Sequence, residues 1–365
     1  MKPIAMRLAN FDSSEIRKVF VLAQEINSPL DLSIGQPDFD VPQEVKEAAI
    51  KSIKTDNNCY TPTAGLASLR KAIAQKLLKK NNIKVSPDEV IVTAGTTGAI
   101  FLGFMALLDS DDEVIILDPY FIAYKEIANL IGAKPKIVAT SANFQPNIKA
   151  IRKSITKKTK LIVLNSPNNP TGAVYPKESI KQIVELAKQN DLFILSDEVY
   201  EDYVYEGEHF SPGSIYKNTI TLNGFSKSCA ATGWRIGYAV GPKEIIDQMA
   251  KLQQFIFVCA PSFAQEAAIK ALDFDNGEII AGYKKKRDII YDGLRNKFEI
   301  VKPCGAFYAF LKTPYEEEKF VKDLLKRKVV VVPGKTFSQK ENYIRISFAN
   351  KDDILKQAIK IINQI

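Results

Sequence analysis

Apolar positions along the chain fall into two rhythms. Near the N-terminus Ile16, Val19, Phe20, Ala23 and Ile26 recur at helical spacing. Leu66, Leu69, Ile73 and Leu77 repeat that pattern until Asn81-Asn82 ends it. Short unbroken apolar runs follow at 90–92, 114–117, 161–164, 192–195, 220–222 and 236–240. Runs that do not alternate suit strands buried on both faces, as in a parallel sheet. Helical stretches at 99–108, 123–131 and 178–189 lie between them. The predicted architecture is therefore α/β, a mostly parallel central sheet with helices on both faces. After about residue 275 the rhythm changes to a long charged helix (278–295), a strand (307–311), a helix (317–326), strands at 329–332 and 343–348, and a last amphipathic helix. This predicts a smaller α+β domain. The expected division is a large domain over 41–275 and a small one made from 1–40 and 276–365.

Composition narrows the classes. The chain has 365 residues, 46% hydrophobic and 25% charged, which suits a large soluble protein with more than one domain. No apolar run approaches the roughly 20 residues that cross a bilayer, and residues 1–7 lack the apolar core of a signal peptide. The four cysteines (Cys59, Cys229, Cys259, Cys304) have no metal-type spacing and read as reduced thiols. A cytoplasmic protein without membrane contact is expected. His209 is the single histidine, which excludes histidine triads and multi-histidine metal sites, and no metal is expected. The net charge of +8 raises nucleic acid as a partner. The lysines, however, are spread along helices, as in Lys76, Lys79 and Lys80 or Lys181 and Lys188. The runs at 157–158 and 284–287 are short and read as solvated faces. An anionic small substrate or a general solubility effect accounts for the charge better than nucleic acid does.

The chemistry gathers at predicted strand ends, where open parallel sheets bind ligands. Lys227 sits among small residues in Gly224-Phe225-Ser226-Lys227-Ser228, poorly placed for a solvated cation and well placed for an amine that attacks a carbonyl. Arg235, in Thr232-Gly233-Trp234-Arg235, offers a bidentate fork for phosphate. Together they suggest a phosphorylated aldehyde held as a Schiff base. After the run at 90–92 comes Thr93-Ala94-Gly95-Thr96-Thr97-Gly98, a helix start whose N–H groups suit phosphate; ordinary strand-to-helix turns have the same composition. After 161–164 comes Asn165-Ser166-Pro167-Asn168-Asn169-Pro170-Thr171-Gly172, either a plain exit loop or a rigid mount for Asn169 to reach a ring oxygen. After 192–195 comes Ser196-Asp197-Glu198-Val199-Tyr200. Asp197 there is either a helix N-cap or the partner of a protonated heterocyclic nitrogen.

These motifs, in this order, resemble the fold-type I aminotransferases that use pyridoxal 5′-phosphate (PLP), and the gamma subgroup of class I in particular. The likeness runs from the turn at 34–39 to the segment at 343–347, almost the whole chain. The resemblance implies that Lys227 bears the Schiff base and moves the proton between the substrate α-carbon and the cofactor. It implies that Asp197 pairs with the pyridine nitrogen. Asn169 and Tyr200 would hydrogen-bond the phenolic oxygen and lower the imine pKa, and Phe121 would stack on the ring. Gly95, Thr96, Thr97 and Arg235 would hold the phosphate, with Tyr60 reaching the phosphate of a second subunit in a homodimer that shares its active sites. Arg345 would grip the substrate α-carboxylate, with Gly35 and Asn169 lining that pocket. Amino acids and 2-oxo acids are the implied substrates.

Two departures stand out. Gly224 occupies a position where many relatives carry a phosphate-binding serine, leaving that task to Ser226 or Ser228. Thr97 stands where some gamma-subgroup aspartate enzymes have a lysine for the distal carboxylate. Ser13 and Ser14 remain to line the side-chain pocket. The segments at 161–176 and 205–213 are similar to bacterial aspartate-specific members, so the implied reaction is transfer from aspartate to 2-oxoglutarate. An aromatic or broad-specificity aminotransferase, a PLP-dependent β-lyase and a non-catalytic PLP-binding regulatory domain are the alternatives.

Overall fold

The continuous apolar runs become the strands of one large sheet. The computed structural model describes residues 5, 8, 19, 21, 23–27, 29–55 and 57–365. Ile16, Phe20, Ser13 and Ser14 lie outside the described residues. A two-residue strand β1 (Leu30–Asp31) comes first. Seven strands then build the large sheet: β2 (Val90–Thr93), β3 (Glu113–Asp118), β4 (Lys134–Ala139), β5 (Thr159–Asn165), β6 (Phe193–Asp197), β7 (Thr219–Gly224) and β8 (Gly237–Val240). Their order is β2-β8-β7-β6-β5-β3-β4. All pairings are parallel except those of β8, which runs antiparallel to both its neighbours. Helices such as Gly95–Leu107, Ile122–Leu130 and Lys177–Gln189 cover the faces, and their apolar sides fill separate cores against the sheet.

Every predicted strand of this sheet is present. β4 is the strand that periodicity missed. It is an edge strand, with Lys134, Pro135 and Lys136 opening it, and a proline with flanking lysines is typical of an edge and breaks the apolar signature.

Past residue 275 the helix Gly277–Leu294 leads to β9 (Tyr308–Lys312), the helix Glu317–Lys326, β10 (Val329–Val330), β11 (Val332–Pro333), β12 (Tyr343–Ser347) and the helix Asp352–Ile362. The predicted strand at 329–332 is split into two, β10 pairing with β1 and β11 with β12. β9, β12, β10 and β1 share a core that includes Phe307, Phe320, Ile344, Ile346 and Leu355, while Val332 of β11 packs in the core under the large sheet.

Arg287, in a run read as a solvated face, is buried instead, and Lys76 is half-buried against a carboxylate. Arg287 is 1% exposed, pairing with Glu206 and Asp288 and donating to the Pro303 carbonyl. Lys76 pairs with the buried Glu201. Both are at helical positions whose inward faces meet carboxylates from distant segments, which spacing alone does not reveal. All four cysteines are free, and among the described residues no helix is long and apolar enough to cross a membrane.

Candidate active site

The carboxyl ends of β5, β6 and β7 open on one side of the large sheet, and the side chains that follow them meet β9 and β12 there. Lys227 lies in the single helical turn Phe225–Ser228 directly after β7. Its Nζ donates to the Gly35 carbonyl and stands 5.8 Å from the ring centres of Tyr200 and Phe307. Burial first, then the cationic Arg345 and Arg235, lower its pKa to about 8.

Asp197 closes β6 and is buried. One carboxylate oxygen accepts from the Tyr124 hydroxyl at 2.7 Å and the other from the Val199 N–H at 3.3 Å. A turn rather than a helix follows it, so it caps no helix. Burial raises its carboxyl to about 6 against the opposing Tyr124 hydrogen bond. Tyr124 had no role in the sequence reading. It lies one helical turn after Phe121, and the two rings meet edge to face at 5.7 Å.

Arg345 is central to β12 and 1% exposed, which rules out a surface arginine. One terminal nitrogen donates to Asn169 Oδ1 at 3.0 Å and the other to the Ser33 carbonyl at 2.5 Å. Its Nε is buried with no hydrogen-bond partner. The guanidinium is sandwiched between the rings of Tyr308 and Phe337, 4.6 Å from each. Asn169 is buried, and its own N–H donates to Asn165 Oδ1. Asn165 Nδ2 in turn donates to the Asp197 carbonyl at 3.0 Å. Thus Lys227, Asp197, Asn169, Tyr200, Gly35 and Arg345 form one connected cluster. Sequence reasoning missed Tyr308, Phe337, Ser33 and Asn165. Asn165 was visible in its motif. Tyr308 is brought in by strand pairing across the small sheet, where Ser347 pairs with Tyr308 and Arg345 with Phe310, while Ser33 and Phe337 lie in the loops after β1 and β11.

The second group lies at the start of the helix Gly95–Leu107. Gly95 has φ +72°, and a β-carbon there would fall 2.5 Å from Arg235 Nη2. The arginine therefore lies against the first turn of the helix, where free N–H groups point outward. Arg235 itself has φ 53° and is exposed, donating to the Thr232 carbonyl at 2.9 Å. Thr96 is half-buried and Thr97 exposed. Gly224 pairs with Gly237 across β7 and β8. Ser226 is buried, and the Ser228 hydroxyl is turned to the Gly224 carbonyl at 3.4 Å. Phe121 is half-buried beside the site. Tyr60 stands apart, 84% exposed.

Comparison with known proteins gives a consistent picture. The model of the family "Aminotransferase class I and II" matches residues 27–362. A probable aspartate aminotransferase of Methanocaldococcus jannaschii is 40% identical, covering 99% of each chain. A probable aspartate/prephenate aminotransferase of Thermus aquaticus is also 40% identical, over 99% of this chain and 96% of its own. The solved aspartate aminotransferase of Thermus thermophilus with maleate superimposes with a TM-score of 0.95 at 38% identity, covering all of both chains. On the family match and on likeness that runs end to end, the chain belongs to the aminotransferases of class I and II.

Proposed function

We propose that this PLP-dependent aminotransferase takes the amino group of L-aspartate and delivers it to 2-oxoglutarate, with Lys227 as the amine that bonds the cofactor. The observation that carries the reading is an amine of lowered pKa beside a buried guanidinium with a free Nε, close enough that the guanidinium charge helps lower it. Carbonyl attack needs the first. A carboxylate is the natural partner of the second.

The residues suit the cofactor. Asp197 is a buried carboxylate with no ion pair among the described residues, raised to about 6 by burial. A protonated ring nitrogen would supply the missing charge. The Gly95 turn brings Arg235 against a helix N-terminus, an arrangement fitted to phosphate.

When bound, PLP supplies a conjugated electron sink for the substrate α-carbon. The roles proposed for this chain follow from its own groups. Arg345 takes the α-carboxylate bidentately, with the Gly35 backbone and Asn169 beside it. Asn169 already accepts from Arg345 through Oδ1, which leaves its Nδ2 free to donate to the ring's phenolic oxygen, as Tyr200 does. Lys227 removes the α-proton and returns it at the cofactor C4′ atom. Asp197 keeps a proton on the ring nitrogen, and Phe121 covers the ring. Gly95, Thr96, Thr97 and Arg235 hold the phosphate.

The same reading includes a cytoplasmic homodimer whose partner contributes Tyr60. The exposure of Tyr60, and of Phe255 (82%) beside Ile256, Phe257 and Val258, supports it. It also includes two domains, 41–275 and 1–40 with 276–365, so that Arg345 and Gly35 approach Lys227 from the smaller one. Thr97 carries no charge for a distal carboxylate, and this favours a second reading with ring-bearing substrates. A rate panel decides between them. Donors are aspartate, glutamate, phenylalanine and tyrosine; acceptors are 2-oxoglutarate, oxaloacetate and prephenate. Aspartate should exceed phenylalanine in kcat/KM by at least about tenfold, a gap of about 1.4 kcal/mol; the reverse order selects the aromatic reading.

A further inference from the structure

Tyr308 touches both ends of the cluster and has no role in the reaction as laid out above. It opens β9 and is 1% exposed. Its ring lies 4.6 Å from the Arg345 guanidinium carbon, and its hydroxyl is 2.7 Å from that of Tyr200. The same hydroxyl presses on Gly35 so closely that a β-carbon there would collide with it. One side chain therefore meets the guanidinium, the tyrosine hydroxyl and the backbone that carries the Gly35 carbonyl.

The hydroxyl pair can be ordered by what Tyr200 has to do. A phenol has one proton to give. If Tyr200 gave it to Tyr308, none would remain for a ring oxygen. If Tyr308 gives its own, the Tyr200 proton is free, and accepting a hydrogen bond makes Tyr200 a stronger donor. Burial raises the pKa of both phenols, so both are neutral and able to donate near pH 7. The ring acts separately. A guanidinium packed between two aromatic faces has its plane fixed, which presets the fork for a carboxylate.

We propose that Tyr308 is a positioning residue that couples the substrate end of the site to the cofactor end. Its ring holds the Arg345 plane, and its hydroxyl donates to Tyr200 so that the Tyr200 proton faces the cofactor's phenolic oxygen. This rests on the roles proposed above for Arg345 and Tyr200.

Two substitutions in the full-length, PLP-loaded enzyme separate the parts. Tyr308→Phe removes only the hydroxyl. The pH titration of the visible absorbance should then move its midpoint upward by about half a unit to one unit, the worth of one hydrogen bond. KM for amino-acid donors should stay within about twofold of the parent. Tyr308→Met also removes the ring while filling its volume. KM should then rise about 3- to 30-fold for every donor alike, the range of a desolvated cation–π contact. Phenylalanine should thus rescue KM but not the midpoint. A midpoint unchanged in Tyr308→Phe overturns the hydroxyl role, and this arm stands even if the methionine variant does not fold. Equal KM in the phenylalanine and methionine variants overturns the ring role. Failure of the underlying functional reading shows earlier and differently, as a parent enzyme with no visible band or no donor turnover.

Discussion

At the scale of single residues, the site is a set of groups whose burial makes each unstable without a particular partner. Arg345 is the sharpest example. A fully buried guanidinium is costly unless its donors are used. Two are used internally and Nε is not. Replacing Arg345 with alanine should raise KM about 30- to 1,000-fold for every amino-acid donor, the effect of truncating one side of a buried charge pair. Steady-state kinetics over several donors check this, and a loss confined to acidic donors would contradict an α-carboxylate role. Lys227, Asp197 and Asn169 could be singled out in the sequence because they follow or close predicted strands in local motifs. Arg345, in the middle of a strand, was singled out by the family resemblance. Tyr308, Phe337 and Tyr124 were not legible. Tyr308 and Tyr124 take part through contacts across β9 and β12 or from a helix onto β6, and an aromatic in an apolar stretch looks like any other core residue. Phe337 lies in a polar loop whose sequence gives no sign of its contact with Arg345.

At the scale of elements, the segment after β6 is tied to the helix Ala67–Lys76 by a buried polar network. Lys76 pairs with Glu201, and Asn81 donates to Glu201 at 2.6 Å. Glu198 accepts from Ser196 and Ser211 at 2.8 and 2.7 Å and meets His209 at 2.9 Å. Among the described residues, Glu198, Glu201 and His209 are the one grouping with metal-type donors, but Lys76 already answers the charge of Glu201. Burial alone would raise the Glu201 carboxyl; Lys76, then Lys80 and His209, outweigh it and hold it at about 2. A lowered carboxyl adds stability above its unfolded value of 4.5, and that stability is lost as pH falls toward 2. For His209 burial is also opposed, by Glu198 and Glu201, and its pKa is raised. Its contribution is full below the ordinary value of 6.5 and fades as pH rises through the raised one. Lys76→Met should destabilise the fold by about 3–5 kcal/mol at pH 7, and adding Glu201→Gln should recover much of it. Denaturant unfolding of both variants, repeated at pH 4, checks the size and the pH trend. The helix itself was legible from its apolar stripe. The buried end of Lys76 was not, because a lysine on the inward edge of a stripe resembles one on the outward edge until its carboxylate is known.

At the scale of the whole molecule, the large sheet carries Lys227, Asp197 and Asn169, and the small sheet carries Arg345 and Tyr308. The site exists only where the two meet. The architecture was legible because unbroken apolar runs mark strands buried on both faces; β4 was lost because an edge strand does not need such a run. Tyr60 and Phe255 are the most exposed large apolar side chains among the described residues, and they mark the face proposed to meet a second chain. Phe255→Glu should shift sedimentation from dimer toward monomer, and activity per chain should fall with dilution. A monomeric parent would contradict the shared site.

The most direct measurement is the first half of the reaction. PLP-loaded enzyme is mixed with L-aspartate and no acceptor, and absorbance and released 2-oxo acid are followed together. One oxaloacetate per chain should appear as the visible band is lost, and Lys227→Ala should slow this by about 10²- to 10⁴-fold. No 2-oxo acid from aspartate or from any donor in the panel, or an undiminished rate in Lys227→Ala, would contradict the account.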